Sequence, residues 1–204
     1  MNFIAFDLET TGTLAGIDRI VEVGFVRFVN GKPQDRYACL VDPQMPIPTG
    51  ASRVNGITDD MVKGKPTIET LLESLTTYCG NDMLVAHNAT FDFQFLLADY
   101  KKHEFAAPTG TVFDTLPLSR KIFPGLMNYK LASIAKHLNI ETGTLHRADE
   151  DAEYCGHVFN KILTRLYGEA STPDWQDLIR FSGRPELKFP IIEKQLRQLD
   201  LFSV

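Results

Sequence analysis

An Asn30-Gly31 pair stands between two stretches of strand-type residues, and this constrains the first fifth of the chain to a β-hairpin. Residues 19–29 (RIVEVGFVRFV) are rich in β-branched and aromatic side chains, and residues 35–42 (DRYACLVD) read as the returning strand. Ahead of them, residues 3–9 (FIAFDLE) form a short, largely apolar strand. A loop rich in Pro, Ser and Gly then runs to about Thr58. Beyond it the periodicity changes. Helices are predicted over 67–79, 90–102, near 116–122 and 130–138, and over 148–167; short strands are predicted at 83–87 and 112–115. Antiparallel strands followed by alternating strands and helices predict an α/β fold. Its mixed central sheet has three antiparallel strands first, then parallel ones, flanked by helices. Residues 1–167 read as the main domain, 168–185 as a helical extension, and 186–204 as a tail with no obvious partner element.

With 204 residues, 44% of them hydrophobic, the chain can bury one substantial core. No window approaches the ~20 consecutive apolar residues of a membrane span, and the N-terminus lacks the basic and apolar regions of a signal peptide. Cys39, Cys79 and Cys155 are far apart and fit no disulfide or zinc spacing, which points to a reducing cytoplasm. The net charge of −5 argues against a protein that grips nucleic acid chiefly by neutralising phosphates, unless bound cations supply positive charge locally.

Three clusters carry the chemistry. In Asp7-Leu8-Glu9 the two acids, two apart on a strand, point to one side. Close carboxylates in an apolar setting repel, and a divalent cation removes that penalty. Taken alone, solvated acids at a strand end are the better explanation of this pair. Asp92 lies in the first turn of a helix that follows the strand MLVAH; a first-turn acid serving the helix dipole would also account for it. Asp151 shares a helix stripe with Cys155, Val158 and Ile162, so it faces inward, where an acid requires a partner or a metal. His146 precedes that helix. Asp149 and Glu150 fall on solvated faces. Taken jointly, four acids and a histidine at strand ends and helix starts suit two-metal phosphoryl transfer. Mg²⁺ or Mn²⁺ would be held by oxygen ligands and a histidine would serve as base.

The segments FDLETTG (6–12), HNATFDFQFL (87–96) and HRADEDA (146–152) resemble, in order and spacing, the three motifs of the DEDD exonuclease superfamily. The histidine in the third motif places the resemblance in the DEDDh branch, which includes the proofreading epsilon subunit of bacterial DNA polymerase III, exonuclease X and ribonuclease T. The resemblance implies an RNase H-like fold and stepwise 3′→5′ hydrolysis to nucleoside 5′-monophosphates. By position, Asp7, Glu9, Asp92 and Asp151 would hold two divalent ions and His146 would be the general base. Thr10, Thr11, Gly12, Ile57 (in the motif Asn55-Gly56-Ile57-Thr58), His87, Asn88, Phe91 and Phe95 would contact the terminal nucleotides. Plain core packing is an equal reading for Phe95. The tail Gln198-Leu199-Asp200-Leu201-Phe202 resembles the peptide by which bacterial replication and repair proteins dock on the DNA sliding clamp. It offers three apolar anchors and one oriented amide. DNA is therefore the expected substrate, with an RNA 3′ exonuclease as alternative and a non-catalytic clamp-binding adaptor as the reading from another class.

Overall fold

The computed structural model describes residues 1–141, 143, 147–168 and 173–192, so His146 and the stretch 193–204 lie outside the described residues. The expected mixed sheet is present. Strands β1 (Phe3–Thr10), β2 (Ile20–Val29) and β3 (Lys32–Leu40) are antiparallel, while β4 (Leu84–Ala86) and β5 (Val112–Asp114) run parallel to β1, in the order β3-β2-β1-β4-β5. Asn30 and Gly31 take φ of 52° and 74°, the left-handed pair that a tight hairpin turn demands.

Alternation along β1 divides the core. Ile4, Phe6 and Leu8 face α3 (Ile68–Cys79) and α4 (Thr90–Lys102), where Leu72, Leu75, Leu96 and Tyr100 meet them. Phe3 and Ala5 face α7 (Ala148–Tyr167), packing with its Cys155, Val158, Phe159 and Ile162. Leu118 of α5 (Thr115–Ile122), Ile134 of α6 (Leu131–His137) and Leu178 of α8 (Trp175–Ser182) complete that second layer. Asp7 and Glu9 continue the Phe3–Ala5 row, so both carboxylates emerge on the α7 side at the C-terminal end of the central strand. Among the described residues no helix is long and apolar enough to cross a membrane.

Two expectations need correction. The stretch read as a loop to Thr58 contains α1 (Thr49–Asn55) and is followed by the short α2 (Asp59–Val62). The residues TGASRVN are poor helix formers. The helix holds because flanking Ile47, Ile57 and Val62 close on Val21 as a separate buried cluster. The final segment also has a partner: the Val112 amide donates to the Leu187 carbonyl at 2.8 Å, and Phe189 packs against Phe93 with ring centroids 4.4 Å apart. One backbone bond and one ring suffice for this, too little to leave a periodic pattern.

Candidate active site

Asp7 and Glu9 stand where β1 runs out past β4. Pairing with β4 covers Ile4 and Ala5, and further along the exposed strand edge the Leu8 amide donates to Asp92 Oδ1 at 3.1 Å. The first turn of α4 thereby brings a third carboxylate, 3% exposed, to the same strand end. The fourth arrives from the other face, through the start of α7. Opposite Asp7 on β2 lies Gly24. A Cβ there would sit 2.1 Å from the Ala148 carbonyl carbon and 2.2 Å from the Asp149 nitrogen. Only glycine lets α7's first turn lie this close to the sheet, and that approach delivers Asp151. One carboxylate oxygen each from Asp7, Glu9 and Asp151 lie within 4.8 Å of one another.

Burial, then the neighbouring charges of Asp92, Glu9 and Asp151, push the Asp7 carboxyl well above the usual range. Burial, then Asp151 and Glu22, carry Glu9 up to about 7, against the opposing effects of an Asn55 hydrogen bond and of Arg147. Asp92 is also raised, mainly by burial, although backbone amides including that of Leu8 pull the other way. The cluster cannot hold its full negative charge near neutrality without added positive charge. Oxygen donors converging from three elements fit hard divalent cations.

Glu22 and Arg147 belong to the site's support and escaped the sequence reading. Glu22 pairs with Glu9 across β1 and β2 and is 1% exposed. Its carboxylate accepts from Arg147 Nε at 3.0 Å and from the Ala148 amide at 3.0 Å. It thus caps α7 from the neighbouring strand and fixes where Asp151 begins. The available signal was an acid inside the apolar run IVEVGFV.

Directly beyond Glu9, Thr10 ends β1 and Thr11 and Gly12 open the β1–β2 loop. The Thr10 hydroxyl donates to the Gly12 carbonyl at 2.6 Å, while the buried Thr11 hydroxyl accepts from the Arg19 amide at 2.9 Å. Asn55, turned inward, donates to the Thr10 carbonyl at 3.3 Å and so ties α1 to this rim. Asn88 is exposed at φ 63°, its amide held by Asp114 Oδ1 at 2.9 Å, and Phe91 is half-buried.

Three of the residues expected to contact nucleotides are engaged inside the fold. Ile57 has no exposed surface and fills the cluster around Val21. Phe95 is 2% exposed in the main core, with Phe91 edging it at 5.0 Å. Both ring nitrogens of His87 are engaged, Nδ1 with the Thr115 hydroxyl and Nε2 with the Tyr129 carbonyl, each at 2.8 Å. His146 and the peptide Gln198-Leu199-Asp200-Leu201-Phe202 lie outside the described residues.

The RNase_T family model, described as Exonuclease, matches residues 4–159. "DNA polymerase III PolC-type" of Oceanobacillus iheyensis is 39% identical over 164 residues, which is 80% of this chain and 12% of the relative. Its counterpart in Halalkalibacterium halodurans is 38% identical over 84% of this chain and 12% of its own length. The chain therefore spans about an eighth of the curated relatives that it matches. Among solved structures, exonuclease X in complex with 5′-overhanging duplex DNA has a TM-score of 0.70 at 26% identity, covering 89% of this chain and 99% of that one. E. coli exonuclease I with a dA16 oligonucleotide shares the fold, with a TM-score of 0.70 at 17% identity over 80% of this chain and 40% of that one.

Proposed function

The chain belongs to the RNase_T exonuclease family, in its histidine-containing DEDDh branch, and from that membership we propose that it removes nucleotides one at a time from DNA 3′ ends as 5′-monophosphates. The observation that carries this is the convergence of Asp7, Glu9 and Asp151 within 4.8 Å, with Asp92 bonded to the same strand end. Asp7, Glu9, Asp92 and Asp151 would hold two divalent ions, Mg²⁺ or Mn²⁺. When bound, such ions supply an activated water and charge stabilisation for the leaving oxygen.

The chain's own residues do the rest. Thr10 and Gly12 would meet the terminal sugar, and Asn88 and Phe91 would contact the strand end. His146 would serve as the base that takes a proton from water. The rigid β1 strand and the capped α7 hold the acids in register, which converts binding into productive geometry. DNA is favoured over RNA because the relatives are named as DNA polymerases and the structural neighbours hold DNA. The peptide 198–202 would tether the enzyme to the sliding clamp, placing it in proofreading or repair.

Incubation with Mg²⁺ and a 3′-labelled single strand should release mononucleotides, and Asp7→Ala should abolish release. His146→Ala should slow it severely with metal affinity largely retained. No release from DNA or RNA would overturn the enzyme reading; faster release from RNA than from DNA would overturn the substrate.

A further inference from the structure

Two adjoining cavities, of about 300 and 450 Å³, run along α5 and share Asn88, Leu116 and Arg120. Their floor is β5 and the α5 flank; Arg184, just past α8, closes one end, and Lys130 the other. Arg120, Lys130 and Arg184 are all exposed, and no carboxylate among the described residues lies within salt-bridge distance of any of them. The two acids on the wall are otherwise occupied. Asp114 turns inward to cap α5, accepting from Leu116 at 2.8 Å and from Asn88. Glu186 is held by Lys188 and by the Thr111 hydroxyl, both at 2.9 Å. In a chain of net charge −5, this leaves a groove whose uncommitted charge is positive. Tyr129 stands beside Arg120, with the guanidinium 6.0 Å from the ring centroid, and offers a flat face next to a cation. The groove opens at Asn88, two residues before the helix that carries Asp92.

We infer that this groove is the track for a single DNA strand, with Arg120, Lys130 and Arg184 each meeting a non-terminal phosphate upstream of the bond to be cut. The inference rests on the exonuclease reading and extends it, since it names where the strand lies before its end reaches the acids. Continuity with the site selects the occupant. The cations are set apart along the groove, Arg120 on α5, Lys130 just ahead of α6 and Arg184 just past α8, and the apolar floor at Leu116 and Pro117 accommodates sugars and bases between them.

The test separates strand binding from chemistry. Binding of 5′-fluorescein-dT20 is measured by anisotropy with Ca²⁺ at several salt concentrations, and turnover with thymidine 5′-monophosphate p-nitrophenyl ester and Mg²⁺. The triple variant Arg120→Ala, Lys130→Ala, Arg184→Ala should bind dT20 at least ~10-fold more weakly, with the log–log salt slope reduced by about 2, because each single-strand phosphate contact contributes about 0.7. Ester turnover should be unchanged. The single variants R120Q, K130Q and R184Q, which preserve side-chain bulk, should each lower the slope by about 0.7. Lys161→Ala, on α7 beside the Gly31 turn, should change neither quantity. Unchanged dT20 affinity and slope in the triple variant, an equal effect of Lys161→Ala, or lost ester turnover would each overturn the groove assignment. Failure of the wild-type protein to hydrolyse both the ester and a 3′-labelled strand would instead overturn the exonuclease reading.

Discussion

Replacing Gly24 by alanine should damage catalysis without touching a single carboxylate. The added methyl would lie 2.1 Å from the Ala148 carbonyl carbon, 2.2 Å from the Asp149 nitrogen and 2.4 Å from the Ala148 oxygen, whereas ordinary contact begins near 3.4 Å. These neighbours are backbone, so no side chain can rotate aside. The first turn of α7 must retreat by about 1 Å, an overpacking cost of about 2 kcal/mol. For a chain of this size that corresponds to a Tm lower by about 4–8 °C. Retreat also stretches the 3.0 Å bond from the Ala148 amide to Glu22 and carries Asp151 away from Asp7 and Glu9. A displacement of about 1 Å at a reacting centre costs about 100-fold in rate. Steady-state release from a 3′-labelled strand should therefore show kcat reduced about 100-fold, while strand affinity in Ca²⁺ stays within about twofold. A variant with kcat within twofold of wild type would refute the claim that Gly24 sets the position of Asp151. A lowered Tm with intact kcat would refute it equally, because the strain would then be absorbed elsewhere.

Phe189→Ala should cost about 3 kcal/mol by emptying the space against Phe93 and Tyr100, read as a loss in chemical denaturation. Unchanged stability would mean that segment 187–192 contributes nothing to the core. Without divalent ions, the raised Glu9 carboxyl contributes stability that is fully present below its ordinary value of 4.5 and is lost as pH rises through about 7, a change of about 3 kcal/mol. Tm in the metal-free protein should accordingly fall from pH 5 to pH 8, and Mg²⁺ should raise Tm more at pH 8 than at pH 5; equal gains at both would sink this. Deleting residues 198–204 should abolish binding to the sliding clamp in surface plasmon resonance while leaving hydrolysis of short oligonucleotides intact, and unchanged clamp affinity would remove the docking assignment.

The frame of the fold was legible because its signals are local and periodic. The Asn30-Gly31 turn declares the hairpin, and the α7 stripe through Cys155, Phe159 and Ile162 declares both the helix and its buried face. Asp7 and Glu9 followed from strand alternation, and Asp151 from the same stripe. What escaped depends on distant partners. Helix α1 has weak intrinsic propensity and exists because Ile47, Ile57 and Val62 find Val21. Leu187 and Phe189 join the domain through Val112 and Phe93, some 75 and 96 residues away in sequence, and nothing in their own neighbourhood announces it. The burial of Ile57 and Phe95 and the double engagement of His87 could not be read from the motifs. A motif position tells which residue type recurs, but only burial and hydrogen bonding distinguish a side chain that faces substrate from one that holds up those that do.

The same distinction bears on charge. A net charge of −5 spread over the surface says little about a site where several acids are removed from water. Burial raises the carboxyls of Asp7, Glu9 and Asp92, so their mutual repulsion is stored in the fold. It is held there by apolar packing of β1 and by the start of α7. Among the described residues, Arg147 is committed to Glu22 and partly offsets the repulsion at Glu9. A structural acid cluster would be expected to carry its own cation, as the Glu22–Arg147 pair does. The raised carboxyls of Asp7, Glu9 and Asp92 are compatible with a divalent cation in that place. Low dielectric then works in the ion's favour, since the burial that penalises ionised acids also strengthens their attraction for a divalent cation. Glu22 is consequently best understood as a spacer between two electrostatic regimes. It is an acid paired with its own arginine and spent on capping α7, one strand away from Asp7 and Glu9, whose carboxyls burial and mutual repulsion raise.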